Sequence, residues 1–427
     1  MIDAIKSVII LGSSGTIGSL TGGLIAQQGI KVYFLSRTQE RAFFGLKRAI
    51  AQARSEIISR NIVCGDYDHL LESALEEADL IIESVSENAE IKQKIYERID
   101  QYRKPDTIVG STTSSLPLTK LVQGRSEGFK KHFMSTHFYN PPARTLACEI
   151  ASQPDTDPQV YNFMKDFLEH KLRRVVIPVK NTAGFAGNRI AFLVFNLVAA
   201  LAEEHGVEMM GYLIGPYTGR LMAPLATLDL VGLDIYKAII ESLYRNTKDE
   251  MHESFVLPRY VNKMIDNGLL GSKTKAGFYK RLESGKFVFF DPATCDYIPA
   301  IEPHIAFVEK AKQLIHLGMY REAFEAIRTA RGREVDIVMD MLCIYIAYSY
   351  ARIGEITEAE FGIDGIDRVM SFGFNWAAPS LVVYMLGGKE SVVNLLVDRG
   401  FEVPEQLRNA VDTDYKTPGY GKYFVAR

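Results

Sequence analysis

Val8-Ile9-Ile10-Leu11-Gly12-Ser13-Ser14-Gly15-Thr16-Ile17-Gly18 lies near the start of the chain, an apolar strand-like run followed at once by regularly spaced glycines. Glycines allow a sharp turn and a close approach of the backbone to a pyrophosphate, which binds at the N-terminus of the next helix. The stretch therefore predicts a dinucleotide site, with candidate ligands Gly12, Gly15, Thr16, Ile17 and Gly18. A glycine turn that serves only packing is the alternative.

Short apolar runs alternate with stretches of helical period over the first 180 or so residues. Buried parallel strands are predicted at Val8–Leu11, Lys31–Leu35, Leu80–Ile82, Thr107–Val109, Phe133–Thr136 and Arg174–Ile177, with helical period at Gln39–Arg60 and Asn88–Tyr102. Such alternation predicts an α/β fold with a doubly wound parallel sheet.

After Pro178 the pattern becomes helical, beginning with a long apolar helix over Phe185–Ala202. A Gly-, Asp- and Pro-bearing connector over Glu283–Pro299 predicts a linker, and helices resume beyond it. Ala223-Pro224 precedes Gly232 just as Ala378-Pro379 precedes Gly387, at the same offset in both landmarks. This match favours a duplicated helical segment over chance.

Composition limits the classes of protein that the chain can belong to. Its 427 residues are 47% hydrophobic and 24% charged, with a net charge of −3, so two or three globular domains are expected and no basic surface for nucleic acid. The cysteines form no C-x-x-C pair, no cluster has metal-ligand spacing, and no metal is expected. The start lacks a signal peptide, and the longest apolar run, Ile190–Ala202, is too short to span a bilayer; a soluble, cytoplasmic protein is expected.

The end of the second predicted strand departs from the usual dinucleotide pattern. An acidic residue there normally accepts hydrogen bonds from the adenosine ribose, but this chain has Ser36 followed by Arg37. Loss of the carboxylate removes repulsion of a 2′-phosphate, and Arg37 could pair with one. NADP is therefore an alternative to NAD, and a solvated Arg37 is the other interpretation.

Four motifs follow one another in a specific order: Thr113-Ser114-Ser115-Leu116, His137-Phe138-Tyr139-Asn140-Pro141-Pro142, Glu149-Ile150 and Gly184-Phe185-Ala186-Gly187-Asn188-Arg189. The series closely resembles the L-3-hydroxyacyl-CoA dehydrogenases of fatty-acid β-oxidation. Further similar stretches are Glu83–Asn88 with Lys92, Leu228–Asp234 and Gly271–Tyr279, so the resemblance covers roughly residues 5–281.

The resemblance implies roles for individual residues. His137 would be the base that removes the hydroxyl proton while hydride leaves for the nicotinamide, a task suited to a side chain whose pKa lies near neutrality. Glu149 would contact the other ring nitrogen, and Ser114 and Asn188 would hydrogen-bond the reacting oxygen. Residues implied to lie near the dinucleotide are Glu87, Lys92, Ser114, Asn140 and Lys273.

The resemblance also implies an architecture: a Rossmann domain over residues 1–179, a helical domain of the 6-phosphogluconate-dehydrogenase type over 180–281, a linker over 282–300 and a second, degenerate helical domain over 301–427. This arrangement is similar to long family members in which an enoyl-CoA hydratase module follows, and no such module is expected within these 427 residues. The second helical domain would cover an apolar face that single-copy relatives bury by dimerising, so a monomer or homodimer is expected.

The implied activity is NAD(P)-dependent interconversion of (S)-3-hydroxyacyl-CoA and 3-oxoacyl-CoA, with an acyl-CoA substrate and no nucleic-acid or membrane partner. One rival is a dehydrogenase of free 3-hydroxy acids, which would need a Gly-x-Gly-x-x-x-Lys helix start where this chain has Gly187-Asn188-Arg189. The other is a non-catalytic dinucleotide-binding scaffold or sensor.

Overall fold

The computed structural model describes residues 5–412 and Tyr415, and the chain divides into two compact units, residues 1–185 and 186–427. The first four residues of the predicted Rossmann domain, and residues 413–414 and 416–427 of the predicted second helical domain, lie outside the described residues.

An eight-stranded sheet forms the centre of the first unit. Its strands are β1 Ser7–Leu11, β2 Lys31–Ser36, β3 Ile62–Asp66, β4 Leu80–Glu83, β5 Ile108–Ser111, β6 Phe133–Phe138, β7 Ala147–Ser152 and β8 Val175–Pro178, in the spatial order 3-2-1-4-5-6-7-8. Strands β1 to β6 are parallel, and the order reverses direction between β1 and β4. The predicted doubly wound fold is confirmed, and ligands bind such sheets outside the carboxyl ends of the strands at this reversal.

The strand predicted at Arg174–Ile177 is present as β8, but the prediction that it runs parallel to β1 to β6 is wrong, because an unpredicted strand, β7, reverses the direction. Strand β7 runs antiparallel to β6, with His137 opposite Glu149, and β8 runs parallel to β7. The connection from β6 to β7 is a short turn through Pro141 and Pro142, too short for the crossover that a parallel pair needs.

Helices of the first unit pack on this sheet. They are α1 Thr16–Ala26, α2 Gln39–Ala53, α3 Leu71–Glu77, α4 Ala89–Tyr102, α5 Leu118–Leu121, α6 Glu127–Lys131 and α7 Pro158–Asp166. Helices α1, α2 and α7 share one apolar core with alternate strand residues such as Val8, Ile10 and Phe34. The helix predicted over 39–60 ends earlier, because Arg54 adopts a left-handed conformation (φ 51°) and a 3₁₀ turn follows.

The second unit is mainly helical. Its helices are α8 Gly187–His205, α9 Val207–Leu213, α10 Pro224–Val231, α11 Leu233–Asn246, α12 Arg259–Asp266, α13 Ala306–His316, α14 Tyr320–Thr329, α15 Arg333–Ala351, α16 Asp364–Gly373, α17 Pro379–Met385, α18 Lys389–Asp398 and α19 Glu405–Arg408. The segment expected as a linker contains two of the three strands of a small antiparallel sheet: β9 Tyr279–Arg281, β10 Phe287–Asp291 and β11 Asp296–Pro299.

The two halves of this unit carry matching landmarks. Ala223 and Ala378 each precede a helix that starts with proline, α10 and α17, and each helix is followed by a glycine of positive φ. An antiparallel bridge between Arg220 and Trp376 joins the halves.

Among the described residues no single helix combines the length and apolarity needed to cross a bilayer. By length and composition alone, one sharply bent pair, α17 with α18, would meet the same test together.

Candidate active site

The glycine turn joins β1 to α1 at the carboxyl edge of the sheet. Gly12 has φ +76°, and a Cβ there would lie 2.2 Å from the carbonyl oxygen of Ser84, so only glycine fits. Helix α1 begins at Thr16 after Gly15, and no side chain caps it. The first N–H groups of α1 therefore have no acceptor within the helix and suit an anion such as a pyrophosphate.

A cleft of about 740 Å³ opens beside this turn, at the carboxyl ends of β1, β2 and β4. Its lining includes Gly12, Gly15, Ser36 and Arg37, all predicted cofactor ligands. The glycine geometry, the helix N-terminus and this cleft together fit a dinucleotide.

A buried ionic cluster lies at the end of the next strand, β4. Glu83 Oε1 accepts hydrogen bonds from Lys92 Nζ (2.8 Å) and from Val85 N (2.7 Å). Glu83 Oε2 accepts from Tyr96 OH (2.5 Å) and Ser111 Oγ (2.7 Å). Glu83 and Lys92 have no exposed side-chain surface, so the ammonium group of Lys92 lies beneath the site rather than at its surface.

Glu87 connects this cluster to the surface of the site. Its carboxylate lies 3.4 Å from Lys92 Nζ and accepts hydrogen bonds from Thr113 Oγ1 (2.5 Å) and Ser115 Oγ (2.7 Å). Burial raises the pKa of Glu87, but Lys92 and these hydroxyl donors outweigh that effect and lower it overall. Glu87 is therefore a fixed carboxylate in the loop between β4 and α4.

His137 and Glu149 face each other across the antiparallel pair of β6 and β7. His137 Nδ1 lies 2.8 Å from Glu149 Oε2; the histidine side chain is 14% exposed and the glutamate completely buried. The rings of Tyr139 and Phe185 lie against the imidazole at 5.0 and 6.0 Å between centroids. A carboxylate can only accept, so Nδ1 carries the proton in this contact and Nε2 is left as the basic nitrogen.

Tyr139 shows how apolar this corner is. Burial, together with the charge of Glu149, raises the pKa of the Tyr139 hydroxyl well above its usual value. The buried Tyr139 ring packs against this side of the imidazole, and a low local dielectric constant strengthens electrostatic contacts to the imidazole.

The other predicted residues are distributed over both units. Ser114 follows β5, the parallel neighbour of β6, so it emerges at the same sheet edge as His137, and its carbonyl accepts from Gly184 N (2.8 Å). Asn140 lies in the β6–β7 turn, next to a cis peptide bond to Pro141. Asn188 and Lys273 belong to the second unit, Asn188 in the first turn of α8 and Lys273 in an exposed ion pair with Asp234.

Several residues of the site were absent from the sequence-based candidates. They are the cluster members Glu83, Tyr96 and Ser111 and the cleft residues Arg41, Tyr67, Lys94 and Arg98. Glu83 could have indicated the buried cluster from the sequence alone. It is an acid that ends the apolar run Leu80-Ile81-Ile82, and a charge in a buried strand needs a partner.

Fold and site define a Rossmann-type dinucleotide-binding protein with a histidine–carboxylate pair at the sheet edge. A family model for the 3-hydroxyacyl-CoA dehydrogenase NAD binding domain matches residues 7–182, and one for the C-terminal domain of the same enzymes matches residues 184–281. The chain belongs to the 3-hydroxyacyl-CoA dehydrogenase family. The predicted NAD-binding domain and family membership are thereby confirmed.

Individual relatives agree. A probable 3-hydroxyacyl-CoA dehydrogenase of Bacillus subtilis is 30% identical over 97% of this chain and 55% of its own length, so the chain spans about half of that relative. One from Deinococcus radiodurans is 30% identical over 66% of this chain and 84% of its own. The solved 3-hydroxybutyryl-CoA dehydrogenase of Escherichia coli shares the fold, with a TM-score of 0.68 at 17% identity over 95% of this chain and 97% of its own.

Proposed function

We propose that the chain is a 3-hydroxyacyl-CoA dehydrogenase that interconverts (S)-3-hydroxyacyl-CoA and 3-oxoacyl-CoA. The observation that carries the proposal is the 2.8 Å contact between His137 Nδ1 and the buried carboxylate of Glu149. This contact sets the imidazole tautomer and leaves Nε2 available to a substrate hydroxyl.

The residues divide the work of the reaction. A bound nicotinamide ring supplies the hydride acceptor. His137 Nε2 takes the proton of the carbinol hydroxyl as the C–H bond gives up its hydride and the C=O bond forms. Glu149 stabilises the imidazolium that results, because a fixed negative charge beside Nδ1 favours the charged ring. In the reverse direction His137 returns the proton to the oxygen.

Further roles belong to this proposal. Ser114 and Asn188 hydrogen-bond the reacting oxygen, and Gly12, Gly15, Thr16, Ile17 and Gly18 hold the pyrophosphate. Glu87, Asn140 and Lys273 contact the dinucleotide, whereas Lys92 acts through Glu87, since its ammonium group is buried between Glu83 and Glu87. Support comes from the shared sheet edge of Glu87, Ser114 and His137.

The domain organisation is part of the proposal. Residues 1–179 bind the dinucleotide, 180–281 form the first helical domain, and 301–427 form a second one that covers its apolar face. Support comes from the matching landmarks and the packing of α15 and α16 against α8. Acting in the cytoplasm, the protein would be a monomer or a homodimer whose substrate is an acyl-CoA.

The test is reduction of acetoacetyl-CoA by NADH or NADPH, which is monitored as a loss of the absorbance of the reduced nicotinamide. We expect turnover by the unaltered chain and a fall in kcat of about 10²- to 10⁴-fold in His137→Asn, because the general base is lost. His69→Asn is the matched control, since His69 also contacts a carboxylate, Asp66, but is exposed and lines no part of the cleft.

Three outcomes would contradict the proposal. Consumption of neither cofactor would favour the scaffold. Turnover of free 3-hydroxybutyrate but not of the CoA thioester would favour a free-acid dehydrogenase. Full activity of His137→Asn would exclude the histidine mechanism.

A further inference from the structure

The adenosine end of the dinucleotide cleft has an uneven charge. Four charged side chains line it, Arg37, Arg41, Lys94 and Arg98, and all four are cationic. Within the described part of the chain, no aspartate or glutamate lines the cleft. A cleft lined by charges of one sign attracts the opposite charge.

Ser36 stands at the position that usually recognises the adenosine ribose, and its hydroxyl is already bonded within the protein. Ser36, the last residue of β2, is 1% exposed. Its Oγ accepts a hydrogen bond from Ser14 N (3.1 Å) and lies 3.1 Å from Ser13 Oγ, so it ties the glycine turn to β2. No carboxylate stands here to hold two free ribose hydroxyls or to repel a phosphate.

The start of α2 places two guanidinium groups directly after this serine. Arg37 precedes the N-cap residue Thr38, whose Oγ1 accepts from Arg41 N (3.3 Å). Both arginine side chains are exposed, and over the described residues neither forms an ion pair within 4.0 Å. The N-terminus of α2 adds its own preference for an anion at this point.

The middle of helix α2 is held in place against the glycine turn. Gly45 packs so closely that a Cβ there would lie 2.1 Å from the carbonyl oxygen of Ser13. Arg48 Nη1 donates to the carbonyl of Ser14 (3.2 Å) and to Thr16 Oγ1 (3.2 Å). Arg41 is therefore carried on a rigid support beside the cleft, which reduces the cost of ordering it around a ligand.

The other charged groups near these two arginines are already partnered or lie outside the cleft. Arg98 donates to the carbonyl of Tyr67 (2.9 Å) and lies 3.5 Å from Glu72. Asp66 accepts from His69 N (2.9 Å) and contacts the ring of the same residue. Glu40, the acid of the first turn of α2, does not line the cleft.

We propose that Arg37 and Arg41 bind the 2′-phosphate of NADP(H), so that this chain prefers the phosphorylated dinucleotide to NAD(H). Guanidinium groups form paired, charge-assisted hydrogen bonds with phosphate oxygens, and the empty acidic position leaves nothing to oppose them. The proposal rests on the proposed function only in that a nicotinamide dinucleotide occupies the cleft.

The experiment measures binding to the full chain by titration calorimetry, with NADPH, NADH, 2′,5′-ADP and 5′-AMP as ligands. We expect NADPH to bind at least about tenfold more tightly than NADH, and 2′,5′-ADP more tightly than 5′-AMP, since a charge-assisted pair is lost without the phosphate. The advantage of the phosphorylated ligands should shrink as salt is raised.

Arg37→Gln and Arg41→Gln should each weaken the binding of NADPH about tenfold and change the affinity for NADH by no more than about twofold. Arg60→Gln is the matched control, because it removes the same charge from an exposed residue just before β3, at the opposite edge of the sheet. The Arg60→Gln substitution should change the affinity for neither ligand.

Equal or tighter binding of NADH than NADPH overturns the inference, and so does an equal loss for both ligands in Arg37→Gln and Arg41→Gln. The proposed function fails separately: preference for NADPH in binding without turnover of acetoacetyl-CoA supports the 2′-phosphate site and contradicts the dehydrogenase.

Discussion

Lys92 Nζ lies 2.8 Å from Glu83 Oε1, and neither side chain has any exposed surface. The pair joins the first turns of α4 to the end of β4, and the same ammonium group lies 3.4 Å from Glu87. Burial lowers the pKa of Lys92, but Glu83 and Glu87 outweigh it and raise the pKa overall, so the group stays charged. The buried ammonium group thereby holds the Glu87 carboxylate in place in the loop between β4 and α4.

Lys92→Met should destabilise the fold by about 3–5 kcal/mol, because it leaves the Glu83 carboxylate buried without its cation. Chemical denaturation of the full chain, followed by a signal from the first unit, measures the change in the free energy of unfolding. Lys31→Met is the matched control: Lys31 pairs with Glu77 at 2.6 Å on the surface, where an ion pair contributes little. A loss in Lys92→Met no larger than in Lys31→Met would show that the buried pair is not structural.

The sequence predicted the fold best where burial produces a simple pattern. Six strands with continuous apolar runs are present at the predicted places. The two strands of the eight-stranded sheet that were missed, β3 and β7, are interrupted by polar or small residues such as Cys64-Gly65 and Glu149. The direction of β7 depends on the length of a turn, which hydrophobic pattern does not encode.

The site was predictable only in part, for a similar reason. The glycine turn and the order of motifs are visible along the chain, and the structure brings His137 and Glu149 within hydrogen-bonding distance. The burial of Lys92 is a tertiary property, because Glu83 lies nine residues earlier on another element. A ligand-binding role for Arg41 could not be predicted from the sequence, because it depends on the cleft that the side chain lines in the structure.

Glu149→Gln should lower kcat for acetoacetyl-CoA by about 10²-fold or more while leaving KM nearly unchanged, since the carboxylate acts on the charge that His137 acquires during reaction. Steady-state kinetics with both substrates measure the two constants. The double variant Glu149→Gln/His137→Asn is the control, because residues that act as a unit are not additive. If the two losses multiply, Glu149 acts independently of His137.

Stability should depend on pH through Asp367. Burial raises its pKa from 3.8 to about 7, against the lowering effect of Ser380, whose N donates to it at 3.1 Å. The folded state therefore binds this proton more strongly than the unfolded state, and the stability that it confers falls as pH rises from about 4 to about 7. Asp367→Asn should remove this contribution, so the variant's stability relative to the unaltered chain should increase over that window, as measured by denaturation across pH. A constant difference would place the titration elsewhere.

Asp249 connects the two halves of the second unit. Its Oδ2 lies 2.5 Å from Arg189 Nη2 on α8 and 2.9 Å from Arg352 Nη1, just after α15, and it accepts from Tyr348 OH (2.7 Å). All four side chains are more than nine-tenths buried. At the half-exposed rim, Arg189 also pairs with Glu355, and Arg352 pairs with Glu250 and Glu355.

Asp249→Asn should destabilise the second unit by about 3–5 kcal/mol, because two buried guanidinium groups then share no central carboxylate. Equilibrium denaturation of the full chain, followed by the fluorescence of Trp376, which packs in this unit, measures the loss. Asp234→Asn is the control, since Asp234 pairs with Lys273 at the surface and its removal should change stability by less than about 1 kcal/mol. Equal effects of the two substitutions would mean that the halves are held together by apolar packing alone, with the arginines adequately paired at the rim.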